Sequence, residues 1–379
     1  MQSKVPQGAL IALLMNEELH YLIALSAVRG LGPVKAKALL RHVGSAHEIF
    51  RMKAKLLRSI PEIGPITAEA IANADFRRAS QECEFIAKEG IRVASWNEGN
   101  YPDRLKQCDD SPLLLFARGN FEWNPKRAIS IVGTRKADSY GKHFCNSLLE
   151  ALSEYNPTII SGLAHGIDAA AHRAAVEYKL PTLGCVAHGL ERIYPSAHHA
   201  LARSMENNGG IVSEFMSRSE MAPEMFPMRN RIIAGMADCT IVVQTDVKGG
   251  SMITAHIAHS YGREVFAVPG RVNDGLSKGC HKLIKNNLAA ILTSAEDLVH
   301  YLQWDQAQRP KQTSLSFSEH PDENARLILN KMRSQHDMTF DELHSHIQLS
   351  WGMLNTLLLQ LEFEGLIHLL PGKRYRVII

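Results

Sequence analysis

The spacing of apolar positions changes twice along the chain. Up to about residue 75 they recur at helical intervals. There the run Gly30-Leu31-Gly32-Pro33-Val34-Lys35-Ala36-Lys37-Ala38-Leu39 returns 32 residues later as Glu62-Ile63-Gly64-Pro65-Ile66-Thr67-Ala68-Glu69-Ala70-Ile71. Each copy sets a hydrophobe-Gly-Pro turn before a helix, since glycine permits the tight turn and proline suits the first helical position. Residues 1–75 are therefore expected to form a small all-α domain of two helix-hairpin-helix units. Backbone N–H groups at the start of such a helix can face a nucleic-acid phosphate. Glu62 and Glu69 in the second copy fit plain helix packing better.

From about residue 76, short β-rich runs alternate with amphipathic stretches. Strands are predicted over 91–96, 128–132, 158–160, 182–186, 211–213, 240–244 and 265–268, and helices over 141–153, 167–178, 228–236 and 251–261. This alternation implies a parallel sheet covered on both faces through residue 302. Several predicted strands run into glycine, at Gly133, Gly162, Gly189, Gly249-Gly250 and Gly270. Open α/β sheets bind ligands beyond the carboxyl ends of their strands, so these glycines border the expected site. Residues 303–320 are polar and aperiodic and are predicted to be a linker. Residues 321–379 give helices over 324–333, 340–346 and 351–364, then strands over 367–370 and 374–378 around Pro371-Gly372, the outline of a winged helix.

Charge narrows the function classes. The 379 residues carry 42 Lys+Arg against 39 Asp+Glu, a formal net charge of +3. By segment, nine cations face six anions in residues 1–75, 25 face 24 in 76–302, and eight face nine in 303–379. A nucleic-acid site here must gather a few cations locally. The six cysteines are scattered without a CxxC pair, which suits reduced, buried thiols. No uncharged apolar run is long enough to span a bilayer, and the apolar run at 9–15 is followed by Asn16-Glu17-Glu18 rather than a cleavage site. A soluble cytoplasmic protein without membrane contact is expected.

Four ordered motifs carry a resemblance. They are Ile131-Val132-Gly133-Thr134-Arg135 leading to Tyr140-Gly141; Ser161-Gly162-Leu163-Ala164-His165-Gly166-Ile167-Asp168 through His172; Phe226-Pro227-Met228-Arg229-Asn230-Arg231; and Gly250-Ser251-Met252-Ile253-Thr254-Ala255, with Phe266-Ala267-Val268-Pro269-Gly270 closing the series. Together they resemble the DprA/Smf (DNA processing protein A) family. The resemblance implies three modules: a SAM-like helix-hairpin-helix domain over 1–75, an extended Rossmann-like domain over 76–302 and a winged-helix domain over 321–379. It further implies binding of single-stranded DNA, a homodimer and loading of a RecA-type recombinase during natural transformation, with no catalytic residues, cofactor or metal. Carried residue by residue, the binding role falls on Gly133, Thr134, Arg135, Ser161, Gly162, Phe226, Arg229, Asn230, Arg231, Gly250 and Ser251, with Lys248 added from the same turn.

The residue chemistry runs in the same direction. Gly133-Thr134-Arg135 directly follows a predicted strand, and an Arg fork donates two parallel hydrogen bonds to phosphate. Gly249-Gly250-Ser251 opens a helix whose N-terminus favours anions. Phe226 beside Arg229 and Arg231 sets an aromatic face next to cations, as single strands require. Plainer roles stand beside these. Asp168 and His172 suit internal hydrogen bonding, and Asn230 suits bracing a loop. Arg229 and Arg231 lie two apart, so on a helix they point different ways, leaving at least one to solvent or a salt bridge. The chain departs from the family pattern with Gln244 where Glu often stands, Gly249 in place of a common Ser, and His281 in place of Asn.

The alternative function is a Rossmann-like nucleotide-binding enzyme or sensor, resembling the phosphoribohydrolases. Its general acid/base would be a Glu in the helix after the glycine turn, and Ser251-Met252-Ile253-Thr254-Ala255-His256-Ile257-Ala258 contains none. In the terminal module, no Lys or Arg occurs from Ser334 to Gly372, while Asp337, Asp341, Glu342, Glu362 and Glu364 are acidic. A recognition helix without cations cannot make the usual phosphate contacts, so this module is expected to bind protein or another part of the chain rather than DNA.

Overall fold

The computed structural model describes residues 17–304, 322–335, 337–347, 349–370 and 374–377. The predicted linker beyond residue 304 and the Pro371-Gly372 turn lie outside these residues. The chain divides into two compact units after Tyr301.

The first unit opens with the helices Glu17–Ser26, Pro33–Val43, Ala46–Arg51, Ala54–Leu57 and Pro65–Ala72. Both repeats form as expected. Gly32 and Gly64 cap the helices that Pro33 and Pro65 begin. The left-handed turn position held by Gly30 in the first copy is held by Glu62 in the second, at φ of 79° and 69°. A longer helix, Phe76–Glu89, then leads into the sheet.

Nine strands follow: β1 (Arg92–Ser95), β2 (Leu114–Asn120), β3 (Ala128–Val132), β4 (Thr158–Ser161), β5 (Thr182–Cys185), β6 (Gly209–Ser213), β7 (Cys239–Val242), β8 (Glu264–Ala267) and β9 (Ala290–Ile291). Their order in the sheet is β1-β2-β6-β5-β4-β3-β7-β8-β9. From β6 to β9 every pairing is parallel, whereas β1 and β2 form an antiparallel extension on β6. Strands β2 and β9 were not expected. Leu113 to Ala117 is an apolar run buried on both faces, so it shows no alternation, and β9 has only two residues.

Helices Met225–Gly235 and Gly250–Ser260 pack against each other. Their Ile232, Ile233, Met252 and Ala255 share a core with Val132, Ile160, Leu183 and Val242 of the sheet. Strands β4, β5 and β6 step outward on one side of β3, and the chain then returns to lay β7 on the other side. The loops after β3 and β7 therefore diverge at a topological switch point, where such sheets open a crevice.

The helical module, whose expected limit is residue 75, shares a core with the sheet. Leu22, Leu25, Leu39 and Ile49 belong to one buried cluster with Leu114, Phe116, Leu163 and Val186. Polar ties reinforce it. Lys37, from the first repeat, is buried and its Nζ donates to the Asp109 carbonyl (2.5 Å) and Ser111 Oγ (2.9 Å) while lying over the Trp96 ring. Glu82 accepts from the Ser217 N–H (2.9 Å) and hydroxyl (2.6 Å).

The second unit contains helices Glu323–Gln335, Phe340–His346 and Trp351–Phe363 and a three-stranded sheet ordered β10 (Asp337–Thr339), β12 (Arg374–Val377), β11 (Ile367–Leu370). Thr339 and Glu342 form a capping box, and Leu329, Leu343, Leu354, Leu358 and Ile367 build its own core. This is the expected winged helix, with the three-residue β10 added.

Burial, and next to it the charge of Arg41, push the Lys37 amine down to about 8 from 10.5. The folded chain thus releases a proton that the unfolded chain still binds. Stability contributed at this site is expected to rise between pH 8 and 10.5, by about 3 kcal/mol at most, and to be flat below that window. Urea unfolding of wild type and Lys37→Met across this range measures it, because the difference between the two chains should carry the slope.

Candidate nucleic-acid interface

The crevice at the switch point is a cleft of about 280 Å³. Its first wall is the loop after β3. Gly133 sits where a Cβ would collide with the Ile167 side chain, and Gly166, at φ of 80°, sits where one would strike the Thr134 carbonyl. These two glycines let the loops after β3 and β4 close on each other, joined by the Ile167 N–H to the Thr134 carbonyl (3.1 Å). The Thr134 amide donates to the Gln244 carbonyl (2.6 Å), so this amide is a fastening of the loop and not a free anion donor. The Gln244 side chain in turn donates to Asp138 (2.9 Å), which caps the helix Ser139–Ala151.

Arg135 leaves this loop exposed, its guanidinium 5.5 Å from the centre of the Phe226 ring. It makes no ion pair among the described residues. Phe226 lies half-buried in the first turn of the helix Met225–Gly235, with the Arg135 cation over its ring. The opposite wall is the first turn of the helix Gly250–Ser260. Gly250 and Ser251 present the N–H groups that a helix start leaves without partners inside the helix. Ser251 Oγ donates to Thr245 Oγ1 (2.7 Å), which ties that turn to the end of β7.

The floor is Arg229. It is buried, and its Nη1 donates to the Gly162 carbonyl (2.6 Å) and to the Cys185 carbonyl at the ends of β4 and β5. Asn230 Oδ1 accepts from its Nε (3.3 Å), the bracing role open to that residue. Asp168 lies beneath, accepting from the Ala164 N–H (3.3 Å). Burial raises its carboxyl above the usual range, and the nearby Arg229 charge opposes that rise. His172 pairs through Nδ1 with Thr182 Oγ1 (2.7 Å), and burial pushes it down to about 3, so it is neutral at physiological pH. Of the two, Asp168 lines the cleft and His172 does not.

Three expected binding residues are placed otherwise. Ser161 is buried and its hydroxyl donates to the Ile131 carbonyl (2.6 Å), so it has no proton left to give a ligand. Arg231 projects from the opposite side of its helix, ion-paired to Glu214 and bonded to the Asp110 carbonyl, away from the cleft. Lys248 is exposed in the loop after β7 but does not line the cleft, whereas its neighbour Asp246 does. Asp246 was not anticipated, since one acid in a glycine-rich turn gives no periodic signal. Among the described residues no group of His, Cys, Asp and Glu could hold a metal ion, and no helix is long and apolar enough to cross a membrane.

Known proteins share these features. A family model for DNA recombination-mediator protein A matches residues 92–303, one for a SAM-like helix-hairpin-helix tandem matches 22–74, and one for a DprA winged helix domain matches 310–373. The chain is 41% identical over 216 residues to DNA processing protein DprA of Bacillus subtilis, across 57% of this chain and 72% of that protein. Its fold is similar to the X-ray structure of DprA from Streptococcus pneumoniae, with a TM-score of 0.64 and 30% identity over 74% of this chain and 97% of that one. A structure of DNA processing protein A from Helicobacter pylori, described as giving insight into a unique single-stranded DNA binding mode, matches with a TM-score of 0.51 and 27% identity, over 57% of this chain and 96% of that one.

The two cleft arginines should separate in a stability assay. Arg229→Ala strips the Asp168 carboxyl and two strand-end carbonyls of their cation and is expected to cost about 3–5 kcal/mol in urea unfolding. Arg135→Ala removes an exposed side chain and should stay within about 0.5 kcal/mol of wild type.

Proposed function

Because the chain belongs to the DNA recombination-mediator protein A family, we propose that it binds single-stranded DNA in the cleft at the carboxyl edge of its sheet and passes that strand to a RecA-type recombinase during natural transformation. The observation that carries this reading is Arg135, an exposed guanidinium with no acidic partner among the described residues, held over Phe226 at the mouth of a cleft whose other wall is a helix start. The Arg135 fork and the first-turn amides of Gly250 and Ser251 line the same cleft, and both favour a phosphate. Bases that are unstacked, as in a single strand, can meet Phe226. The role described for the Helicobacter pylori relative supports the same substrate. A homodimer and recombinase loading follow from the family resemblance.

A nucleotide hydrolase finds less support in this cleft. The helix Gly250–Ser260 contains no carboxylate, Asp168 is buried under Arg229, and the Asp246 carboxylate accepts from the Val247 N–H (2.7 Å). The winged helix is a poor duplex reader. Its helix Trp351–Phe363 exposes Trp351, Met353, Leu359 and Phe363 and carries no cation.

A salt-titrated binding assay on single-stranded and duplex DNA tests the site. Wild type should favour the single strand. Arg135→Ala should lose about tenfold or more in affinity and flatten the salt slope by about 0.7. Equal affinity for both forms, or an unaffected variant, would refute the reading. The 321–379 module, which has its own core, is expected not to retard duplex DNA at physiological salt in a gel-shift assay.

A further inference from the structure

A second cavity, about 480 Å³ against about 280 Å³ for the cleft, lies at the opposite edge of the sheet. It opens where Arg127 leads into β3, Thr158 begins β4, Pro181 leads into β5 and Asn208 leads into β6. Its size falls within the roughly 300–1,000 Å³ of small-molecule pockets. None of its residues belongs to the four motifs. Its walls are nevertheless held in place. Arg104 clamps the segment before β3, donating to the Pro125 carbonyl (2.8 Å) and the Lys126 carbonyl (3.1 Å) while its Nε pairs with Asp238 (2.6 Å). Arg127 Nη1 donates to the Tyr155 carbonyl (2.9 Å), and its guanidinium lies 5.5 Å from the centre of the Tyr155 ring. Phe121 stands edge-on to Trp123 at 4.9 Å, with the Arg92 guanidinium 4.6 Å from its ring centre. Asn208 Nδ2 donates to the Lys179 carbonyl (2.8 Å), which orients its carboxamide.

Lys126 is exposed on this lining and makes no ion pair among the described residues. With Arg127 it sets two cations against one acid, the exposed Glu122. A lysine of this kind binds phosphate as a point charge. The rest of the lining is of a different character: the rings of Phe121 and Tyr155, and the carboxamides of Asn120, Asn156 and Asn208. Aromatic faces take planar groups, and a carboxamide pairs with the donor and acceptor edge of a base such as adenine. Cation, ring and carboxamide together match the three parts of one ligand class. We propose that this cavity is a second binding site, which takes a single nucleotide with its phosphate on Lys126 and Arg127 and its base among the rings and carboxamides. That nucleotide is a free one or the phosphorylated end of a strand, since both present the same chemistry. The proposal is independent of the cleft at the carboxyl edge and of the single-strand reading.

The test is isothermal titration calorimetry of the full chain with adenosine monophosphate, adenosine and inorganic phosphate. Adenosine monophosphate should bind wild type, and each of the other two should bind about tenfold or more weakly. Lys126→Ala removes an exposed side chain, so the fold is kept. It should weaken the monophosphate about tenfold, the loss of one charge-assisted contact, and leave adenosine unchanged. Lys126→Arg should stay near wild type. No binding of the monophosphate to wild type overturns the proposal, and so does an unchanged affinity in Lys126→Ala. Equal losses of monophosphate and adenosine in Lys126→Ala overturn it too, because the lysine would then not be reading the phosphate. A loss in Arg135→Ala as large as in Lys126→Ala places the nucleotide in the carboxyl-edge cleft and likewise overturns it. Displacement of bound monophosphate by oligodeoxyadenosine separates the two sources. A strand that competes only when its end is phosphorylated identifies strand ends as the ligand, whereas a failure of both strands to compete leaves the free nucleotide.

Discussion

The cleft depends on one buried cation. Arg229 places a guanidinium under the sheet's carboxyl edge, where an unpaired charge would be prohibitively costly. Its partners are the carbonyls that end β4 and β5, the side chain of Asn230 and the nearby Asp168 carboxyl. Because those carbonyls belong to neighbouring strands, the arginine fixes where both following loops begin. It also anchors the helix Met225–Gly235 at its first two turns, and thereby the height at which Phe226 stands. The residue that looks most like a phosphate ligand is better understood as the keystone beneath the proposed one, Arg135.

The same helix is fixed from its other side. Arg231 pairs with Glu214 and the Asp110 carbonyl, and Asp110 also accepts from the Tyr261 hydroxyl. The adjacent Asp109 carbonyl receives Lys37 from the helical module. Two arginines on opposite faces of one helix thus clamp it between the strand ends and the segment joining β1 to β2, to which the first helix-hairpin-helix repeat is also tied. In this protein the helical module is a buttress for the sheet.

Much of this was legible in the sequence, and the remainder was hidden for definite reasons. The strands β3 to β8 and their covering helices follow from apolar runs bounded by glycine, and Ala128–Val132 and Phe340–His346 fall on their expected limits. The spacing of Arg229 and Arg231 states that they diverge. It cannot state that both are buried, because each is paired with carbonyls or an acid brought in from distant sequence. Lys37 has the same difficulty: one lysine in a run of Lys and Ala looks solvated, and only the packing of the module against Trp96 and Asp109 removes it from water. Ser161 carries a hydroxyl in a glycine motif, which reads as a ligand until β3 supplies the carbonyl it satisfies. Charge counting asked for a few cations gathered locally, and the structure leaves fewer of the expected ones free, since Arg229 and Arg231 are engaged internally.

That shortfall bears on how a strand would be told from a duplex. With Arg231 and Arg229 engaged internally, the cleft offers Arg135 and a helix start for phosphate and has Asp246 on its wall. So sparse a field gains little from the dense charge of a duplex, whose phosphates would otherwise favour it. What a duplex cannot offer is base faces, because they are stacked in its interior. A site in which one free guanidinium is accompanied by an aromatic ring therefore selects for exposed bases before it selects for charge. On the proposed reading, the near-neutral balance of residues 76–302, 25 cations against 24 anions, is in this sense part of the specificity.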